Sequence, residues 1–369
     1  MAHSSFHLRA TLLPYGDAAS DLWIAGGRIS FTPVVGAREL APAGGFALPG
    51  LVDSHVHLTV DFGRLGLPRG SAELVAENRR RQLAAGVLLL RDIGSVSDAA
   101  IGLPDDDGLP KVQPAGRYLA PADGYGGMQR PTTPERLPEV AAGQARLAPW
   151  VKIIADWPRV ASDGAIPALH RGEVNYSAER LTAAVAAAHA AGARVAVHAM
   201  SHAAVAAAVA ARVDCIEHAT EADAAQVEAM AAAGIAWTPT LAALQATLRS
   251  AEHRGQPDVA AWLRACFERL RTVLPRARAL GVPVLAGTDV LPPGAVVREV
   301  AALQESGLTP ADALAAASSA ARSYLGVAGI EAGAPADLVL YPVDPRNDPE
   351  VLASPKLIML GGQIISRGA

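Results

Sequence analysis

The sequence predicts an α/β fold: a (β/α)8 TIM-type barrel with a small β-sandwich domain formed by both termini. Three observations predict it. The chain has 369 residues, 51% of them hydrophobic, enough for one large core and a minor unit. Eight apolar, strand-like segments lie between residues 51 and 289, separated by helix-like stretches. The segments before residue 48 and after residue 335 are β-like and lie outside that alternation.

The N-terminal pieces are Phe6–Leu13, Leu22–Ile24, Arg28–Phe31 and Phe46–Leu48, punctuated by Gly16, Gly26-Gly27, Pro33 and Gly44-Gly45. The candidate barrel strands are Leu51–Leu58, Val87–Ile93, Arg117–Ala122, Val151–Trp157, Arg194–Met200, Val213–Ala219, Ala236–Leu241 and Val282–Asp289. Helices between them carry start and stop signals: Ser71 before Ala72–Ala85 and Gly86 after it, Ser177 before Ala178–Ala191 and Gly192 after it, and Glu221–Ala233 closed by Gly234. Thr309-Pro310-Ala311-Asp312 opens a further helix with a cap, a proline and an acid. Ala336–Tyr341 and Leu357–Ile365 then read as strands that return to the N-terminal unit, since neither flank buries a core alone; two independent tails are the other possibility. The boundaries follow: 1–48 plus 331–369 for the small unit, 49–330 for the barrel.

Charge and composition exclude several classes. The net charge of −4 and a pI of 6.2 give no general attraction to nucleic acid or anionic membrane. No apolar run reaches the roughly 18 residues that span a bilayer, and residues 1–10 lack a secretory pattern. Two cysteines, Cys215 and Cys266, make no disulfide framework, so a reducing cytoplasm is expected. The expected partner is a small-molecule substrate, with self-association open. The Ala-rich tracts 183–191 and 203–211 fit packed helices.

The chemistry is expected at the carboxyl ends of the barrel strands. Side chains alternate along a strand, so His55 and His57 project together. The fifth and sixth strands end in His198 and His218, and the eighth in Asp289. A lone histidine at a strand end is ordinary core; four histidines and an aspartate at matching points form a candidate metal site, because imidazole is the commonest metal ligand. Lys152 stands inside the apolar run of the fourth strand. Protonated, it cannot bind a cation; burial exposes a nucleophilic amine that carbon dioxide converts to a metal-bridging carbamate. Snorkelling, or pairing with an acid such as Asp156, is the alternative.

The ordered set His55-x-His57, Lys152, His198, His218 and Asp289 resembles the amidohydrolase superfamily. Leu48-Pro49-Gly50-Leu51-Val52-Asp53-Ser54-His55-Val56-His57, Leu90-Arg91-Asp92-Ile93-Gly94, Ile216-Glu217-His218 and Gly333-Ala334-Pro335-Ala336-Asp337 are similar to its imidazolonepropionase-like, prolidase-type branch. The resemblance implies a metal-dependent hydrolase with two divalent ions, usually zinc. His55, His57 and Asp289 would hold one and His198 and His218 the other, with a carbamylated Lys152 and a hydroxide bridging. It implies attack on a C–N amide bond, with Asp289 moving the proton.

Two departures from the relatives matter: Asp123-Gly124-Tyr125-Gly126-Gly127-Met128 after the third strand, and Met200 where many carry a second histidine. Tyr125 is a candidate donor to the substrate carbonyl, or a packing residue. His202 is a candidate substrate contact or cap, and Trp157 and Trp237 are candidate pocket linings or core. Arg91 and Asp92 are candidate supports for the ligands; Arg69, Arg130, Asp156 and Arg159 are candidate contacts for a charged substrate. His189 is read as structural, His3, His7, His170 and His253 lack strand-end context, and Asp105-Asp106-Asp107-Gly108 reads as a solvated turn. Glu217, next to His218, is expected by alternation to face away from the interior. A mononuclear deaminase or ring hydrolase is the first alternative, a lactonase or esterase a variant on the same site, and a non-catalytic binding barrel the third. Low aromatic content, 4%, offers no stacking platform.

Overall fold

A computed structural model describes residues 5–40, 44–61, 66–105, 107–158 and 173–367. His3, Asp106, Arg159 and His170 lie outside the described residues.

Strands from both ends of the chain share one eight-stranded sheet, the form taken here by the unit expected as a sandwich. Its order runs Gln363–Arg367, Leu357–Leu360, Leu338–Tyr341, Phe46–Pro49, Phe6–Leu12, Ala19–Ala25, Arg28–Ser30, with Arg38–Glu39 added beside Phe6–Leu12. The joint is antiparallel, Leu338 opposite Pro49 and Tyr341 opposite Phe46. Alternate residues Leu8, Leu22, Ile24, Leu338 and Met359 bury a core of their own, as period-two patterning requires. Arg38–Glu39 carries no apolar pattern, and the sequence does not mark it. The expected strand Leu357–Ile365 is a hairpin, broken at Gly361-Gly362, both with positive φ.

The second unit is α/β. Leu51–Val56, Val87–Asp92 and Lys111–Pro114 form one parallel sheet. A second runs Arg130–Pro131, Leu119–Ala120, Trp150–Ile154, Arg194–Ala199, Cys215–His218, Ala236–Thr238, also parallel. The expected third strand, Arg117–Ala122, is reduced to Leu119–Ala120, which pairs with the fourth, and a strand not expected from the sequence, Lys111–Pro114, pairs with the second. Past Pro114 the contact with the second strand continues, Ala115 N–H donating to Asp92 O and Ser95 N–H to Gly116 O. The fourth strand stops at Ile154, and Asp156–Trp157 turns to pair with Glu173–Val174.

The eighth segment is extended but forms no regular ladder, a correction to the expected strand. Trp237 N–H donates to Pro283 O, and Leu285 N–H to Trp237 O. On its other side, Ser54 N–H donates to Ala286 O and Asp289 N–H to His55 O. Ala286 N–H turns to Ala316 O, which breaks the repeat.

Helices pack outside. Ser71 caps Ala72–Ala84, and Ser177 caps Ala178–Ala190. The helix expected from Glu221 begins at Ala224, because Asp223 and Gln226 form a reciprocal capping box; Gly234 ends it at φ 70°. Leu241–His253 and Pro257–Ala279 fill the long gap before the eighth segment.

Candidate metal centre

Three ligand-capable groups converge. One ligand atom from each of His55, His57 and Asp289 falls within 4.8 Å of the others. Asp289 Oδ1 lies 3.1 Å from His57 Nε2 and 3.8 Å from His55 Nε2. His218 joins from the far side, its ring centroid 5.1 Å from that of His55, and His198 lies 4.5 Å from His218. All four imidazoles are buried.

The backbone delivers these side chains by unusual means. Cys215 is buried among Val52, Trp150 and Leu285, so period two also puts Glu217 inward. His218 would then face out. Its φ of 68°, with Ala219 N–H donating to Glu217 O across it, turns its ring back toward His55. The expectation that Glu217 faces away is therefore wrong: Glu217 Oε2 lies 2.7 Å from His55 Nδ1. Among the described residues, the non-glycine positions with positive φ are Arg212, His218, Ala219, Thr240 and Asp289. Four of these five ring the site, where stored strain is characteristic.

The imidazoles are held in one tautomer. Carboxylate and carbonyl oxygens only accept, so His55 Nδ1–H donates to Glu217 and His57 Nδ1–H to Gly94 O at 2.9 Å. Thr240 donates its hydroxyl to Pro239 O, so its oxygen accepts from His218 Nδ1 at 2.7 Å. In His55 and His218 Nε2 keeps its lone pair, while His57 Nε2 faces the Asp289 carboxylate at 3.1 Å. Burial, aided by the charge of Lys152, pushes the pKa of His55, His198 and His218 well below the imidazole range, so the rings stay neutral. For His57, burial acts downward but the bond and charge of Asp289 win and raise it. Asp289, against the effect of burial, is brought to about 2 by His55 and His57.

Behind the histidines lies a fully buried support. Arg91 Nη2 donates to Glu217 Oε1 at 2.7 Å and to Thr238 Oγ1, and Nε donates to Ser54 O. Asp92 does not pair with Arg91; it accepts from Leu58 N–H and the Ser95 hydroxyl. Asp53 accepts from Thr288 N–H, the Thr288 hydroxyl, Gln82 and His55 N–H, tying the first strand to the segment that carries Asp289. Gly287 is required there: a Cβ would sit 2.5 Å from His55 Cβ and 2.4 Å from Thr238 Cγ2.

Among the buried side-chain atoms without a partner, Lys152 Nζ and His198 Nε2 are the two that belong to the expected ligand set. Lys152 is 1% exposed and His198 4%. Neither Lys152 Nζ nor His198 Nε2 has a hydrogen-bond partner. Buried polar atoms are nearly always paired, because an unmet one costs roughly 1–3 kcal/mol. Burial lowers the Lys152 pKa to about 8. Asp156 does not neutralise it; that carboxylate accepts from Met200 and Ser201 N–H instead. The donor set fits a metal: three neutral imidazoles in His55, His198 and His218, His57 held against the ionised Asp289 carboxylate, and two orphaned nitrogens.

Tyr125 is 7% exposed and packs between Tyr118 and Trp157, so it is not a surface residue. Trp157 is partly exposed, its ring 5.4 Å from His198. Trp237 belongs to the core, and its indole N–H fixes His218 O. His202 does not join the site: it is more than half exposed, at the start of helix His202–Ala210, and its ring bonds Asp223. Arg69 and Arg130 are exposed. His189 bonds Asp214. The acidic turn is only partly solvated, since Asp107 binds the buried Arg79 through both oxygens. Sequence reasoning misplaced Glu217 and did not mention Tyr118, whose hydroxyl lies 2.9 Å from His57 Nδ1; counting by two from Cys215 finds the first, and no sequence signal finds the second.

A family model described as the amidohydrolase family matches residues 46–365. An uncharacterized protein of Mycobacterium tuberculosis (strain ATCC 25618 / H37Rv) is 39% identical over 365 residues, covering 97% of this chain and 95% of its own. Among solved structures, a Xaa-Pro dipeptidase with bound methionine in the active site has a TM-score of 0.82 at 22% identity, covering 99% of this chain and 100% of its own. The Aspergillus niger (A. niger) ochratoxinase has a TM-score of 0.81 at 22% identity, covering 100% and 96%. At that identity the two structures support the fold.

Proposed function

This chain belongs to the amidohydrolase family, and from that premise we propose that it hydrolyses a C–N amide bond in a peptide, acyl-amino acid or cyclic amide. The reading takes the α/β unit, residues 49–330, as a (β/α)8 barrel with Val282–Asp289 as its eighth stave, and residues 1–48 plus 331–369 as the small domain. The observation that carries it is the pair of orphaned, buried nitrogens, Lys152 Nζ and His198 Nε2, beside the His55–His57–Asp289 group. Their unmet valences support two divalent ions, zinc by preference. His55, His57 and Asp289 would hold one, His198 and His218 the other, and a carbamylated Lys152 both. When bound, such ions supply Lewis acidity and an activated water at neutral pH.

The protein's own groups do the rest. Asp289, ionised at neutral pH, accepts a proton from the attacking water and returns it to the leaving nitrogen. Burial raises the Tyr125 pKa, so its phenol stays protonated and able to donate to the carbonyl oxygen as charge develops. Glu217 faces inward, yet its oxygens are committed to His55 and Arg91, so it is a poor proton shuttle; this weighs against the deaminase reading. An esterase or lactonase would use the same groups, and a binding barrel would leave the orphaned nitrogens unexplained.

No helix among the described residues is long and apolar enough to cross a membrane. A cytoplasmic location, a small-molecule substrate, no nucleic-acid partner and possible self-association complete the proposal. The test is elemental analysis of protein grown with added zinc, alongside assays on dipeptide, N-acyl-amino-acid and lactam panels. About two ions per chain, falling toward one in Lys152→Met, is the expected result. No metal, with no turnover on any panel, would overturn the proposal.

A further inference from the structure

We propose that Glu299 is a positioning residue of the metal centre: it caps the helix Leu241–His253 from a distant part of the chain and so frees the Thr240 hydroxyl to hold the His218 ring. The inference rests on the reading of His218 as a metal ligand. Ser71, Ser177, Ser201, Asp223 and Thr309 each accept from a first-turn N–H of the helix they precede. Thr240 stands at the same place before Leu241–His253 and makes no such bond. Its backbone is left-handed, φ 51° and ψ 45°, a conformation rare for a β-branched residue. An ordinary cap is extended, with its side chain over the first turn. Here the hydroxyl is committed elsewhere: it donates to Pro239 O at 2.8 Å and accepts from His218 Nδ1 at 2.7 Å.

Glu299 meets the N–H groups at that helix end. Its Oε1 accepts from Leu241 N–H at 3.0 Å and its Oε2 from Ala242 N–H at 2.7 Å. Glu299 and Thr240 are both 0% exposed. A cap hydroxyl is the group that ordinarily serves such donors, so without Glu299 the Thr240 hydroxyl would be drawn toward the helix and away from His218. Burial raises the Glu299 pKa to about 8 against the pull of the two N–H groups. A buried carboxyl is an unfavourable way to close a helix that already has a threonine before it, which points to a second duty for that threonine. Glu299 stands on helix Val296–Glu305, which follows the segment ending in Asp289, and Thr240 follows the strand Ala236–Thr238. One carboxyl thus ties the Asp289 side of the centre to the His218 side. Trp237 fixes the backbone of the same histidine, its indole N–H donating to His218 O at 2.8 Å.

The test uses the full chain, metal-free and zinc-loaded. In metal-free, histidine-labelled protein, ring-nitrogen NMR is expected to show His218 as the Nδ1–H tautomer with a slowly exchanging proton. In Glu299→Ala and in Thr240→Val that proton is expected to exchange too fast to be seen, and in Glu299→Gln, which keeps one acceptor oxygen, to exchange at an intermediate rate. In zinc titrations against a chromophoric chelator, the ion assigned to His198 and His218 should be held about 10–100-fold more weakly in Glu299→Ala and Thr240→Val, while the ion assigned to His55, His57 and Asp289 changes by no more than about threefold. A residue that merely stabilised the helix would lower the urea midpoint and leave the ring signal and both zinc affinities where they were. An Nε2–H tautomer of His218 in the unaltered protein would overturn the inference without any variant having to fold. So would an unchanged ring signal and zinc profile in Glu299→Ala or in Thr240→Val. If the unaltered protein takes up no zinc while the variants lose the His218 signal, the hydrolase reading falls and the positioning role stands.

Discussion

Truncating Glu217 should weaken both the fold and the affinity for metal, and the two effects can be separated. Glu217 and Arg91 are both 0% exposed, with 2.7 Å between Oε1 and Nη2, and the second oxygen holds His55 Nδ1 at 2.7 Å. In Glu217→Ala the guanidinium keeps Ser54 O, Thr238 Oγ1 and the Cys215 side chain, together with the face of Trp150 4.7 Å away, but no opposite charge in the pair. Removing one member of a buried pair costs roughly 3–5 kcal/mol. That loss should appear in the metal-free protein, as a lower urea midpoint. The second loss concerns His55. Without its acceptor the ring is free to rotate and to change tautomer, and groups that orient a ligand in this way are worth about 10–100-fold in metal affinity. At fixed, saturating metal this adds about 1.4–2.7 kcal/mol of destabilisation by linkage. Glu217→Gln keeps an acceptor for His55 Nδ1, so it should recover much of the metal affinity while leaving the Arg91 charge unmatched. The assay is urea unfolding with and without zinc, with zinc affinity from competition against a chromophoric chelator. Unchanged zinc affinity in Glu217→Ala, within about twofold, would refute the claim that this carboxylate positions His55.

Other outcomes follow from the same geometry. Gly287→Ala places a methyl against His55 Cβ and Thr238 Cγ2; overpacking of this kind costs about 1–3 kcal/mol, and zinc affinity should fall with it because His55 is one of the atoms displaced. Asp53→Ala leaves Thr288 N–H and the Gln82 amide without their acceptor. A loss of about 1–3 kcal/mol in urea unfolding is expected, with weaker zinc binding as the Asp289 segment loosens. His202→Ala should change stability by no more than about 0.5 kcal/mol and leave zinc stoichiometry unaltered, since its ring bonds the exposed Asp223 and not the centre.

The strand-end histidines and Asp289 are legible in the sequence because they depend on local rules. Apolar runs of the right length form strands, chain order in an α/β unit sets which ends lie together, and a His-x-His spacing puts two rings on one face. Helix caps are equally local, which is why Ser71, Ser177 and Thr309 mark their helices correctly. Three features depended on tertiary structure. The inward direction of Glu217 follows from the buried position of Cys215 and from a left-handed turn at His218, and an L residue takes that conformation only where surrounding contacts outweigh its cost. The eighth segment is held by hydrogen bonds to partners far away in the chain, Trp237, His55, Asp53 and Ala316, so no periodicity within residues 282–289 could show its broken ladder. The packing of Tyr125 against Tyr118 and Trp157 joins separate turns of the chain; composition counts rings, and only packing decides that they meet. The sequence by itself determined which residues could bind metal and roughly where, because donor chemistry and strand ends are local properties. Tertiary structure decided which nitrogens are left without partners and what lies against them, because burial and hydrogen-bond satisfaction are properties of the whole packed chain.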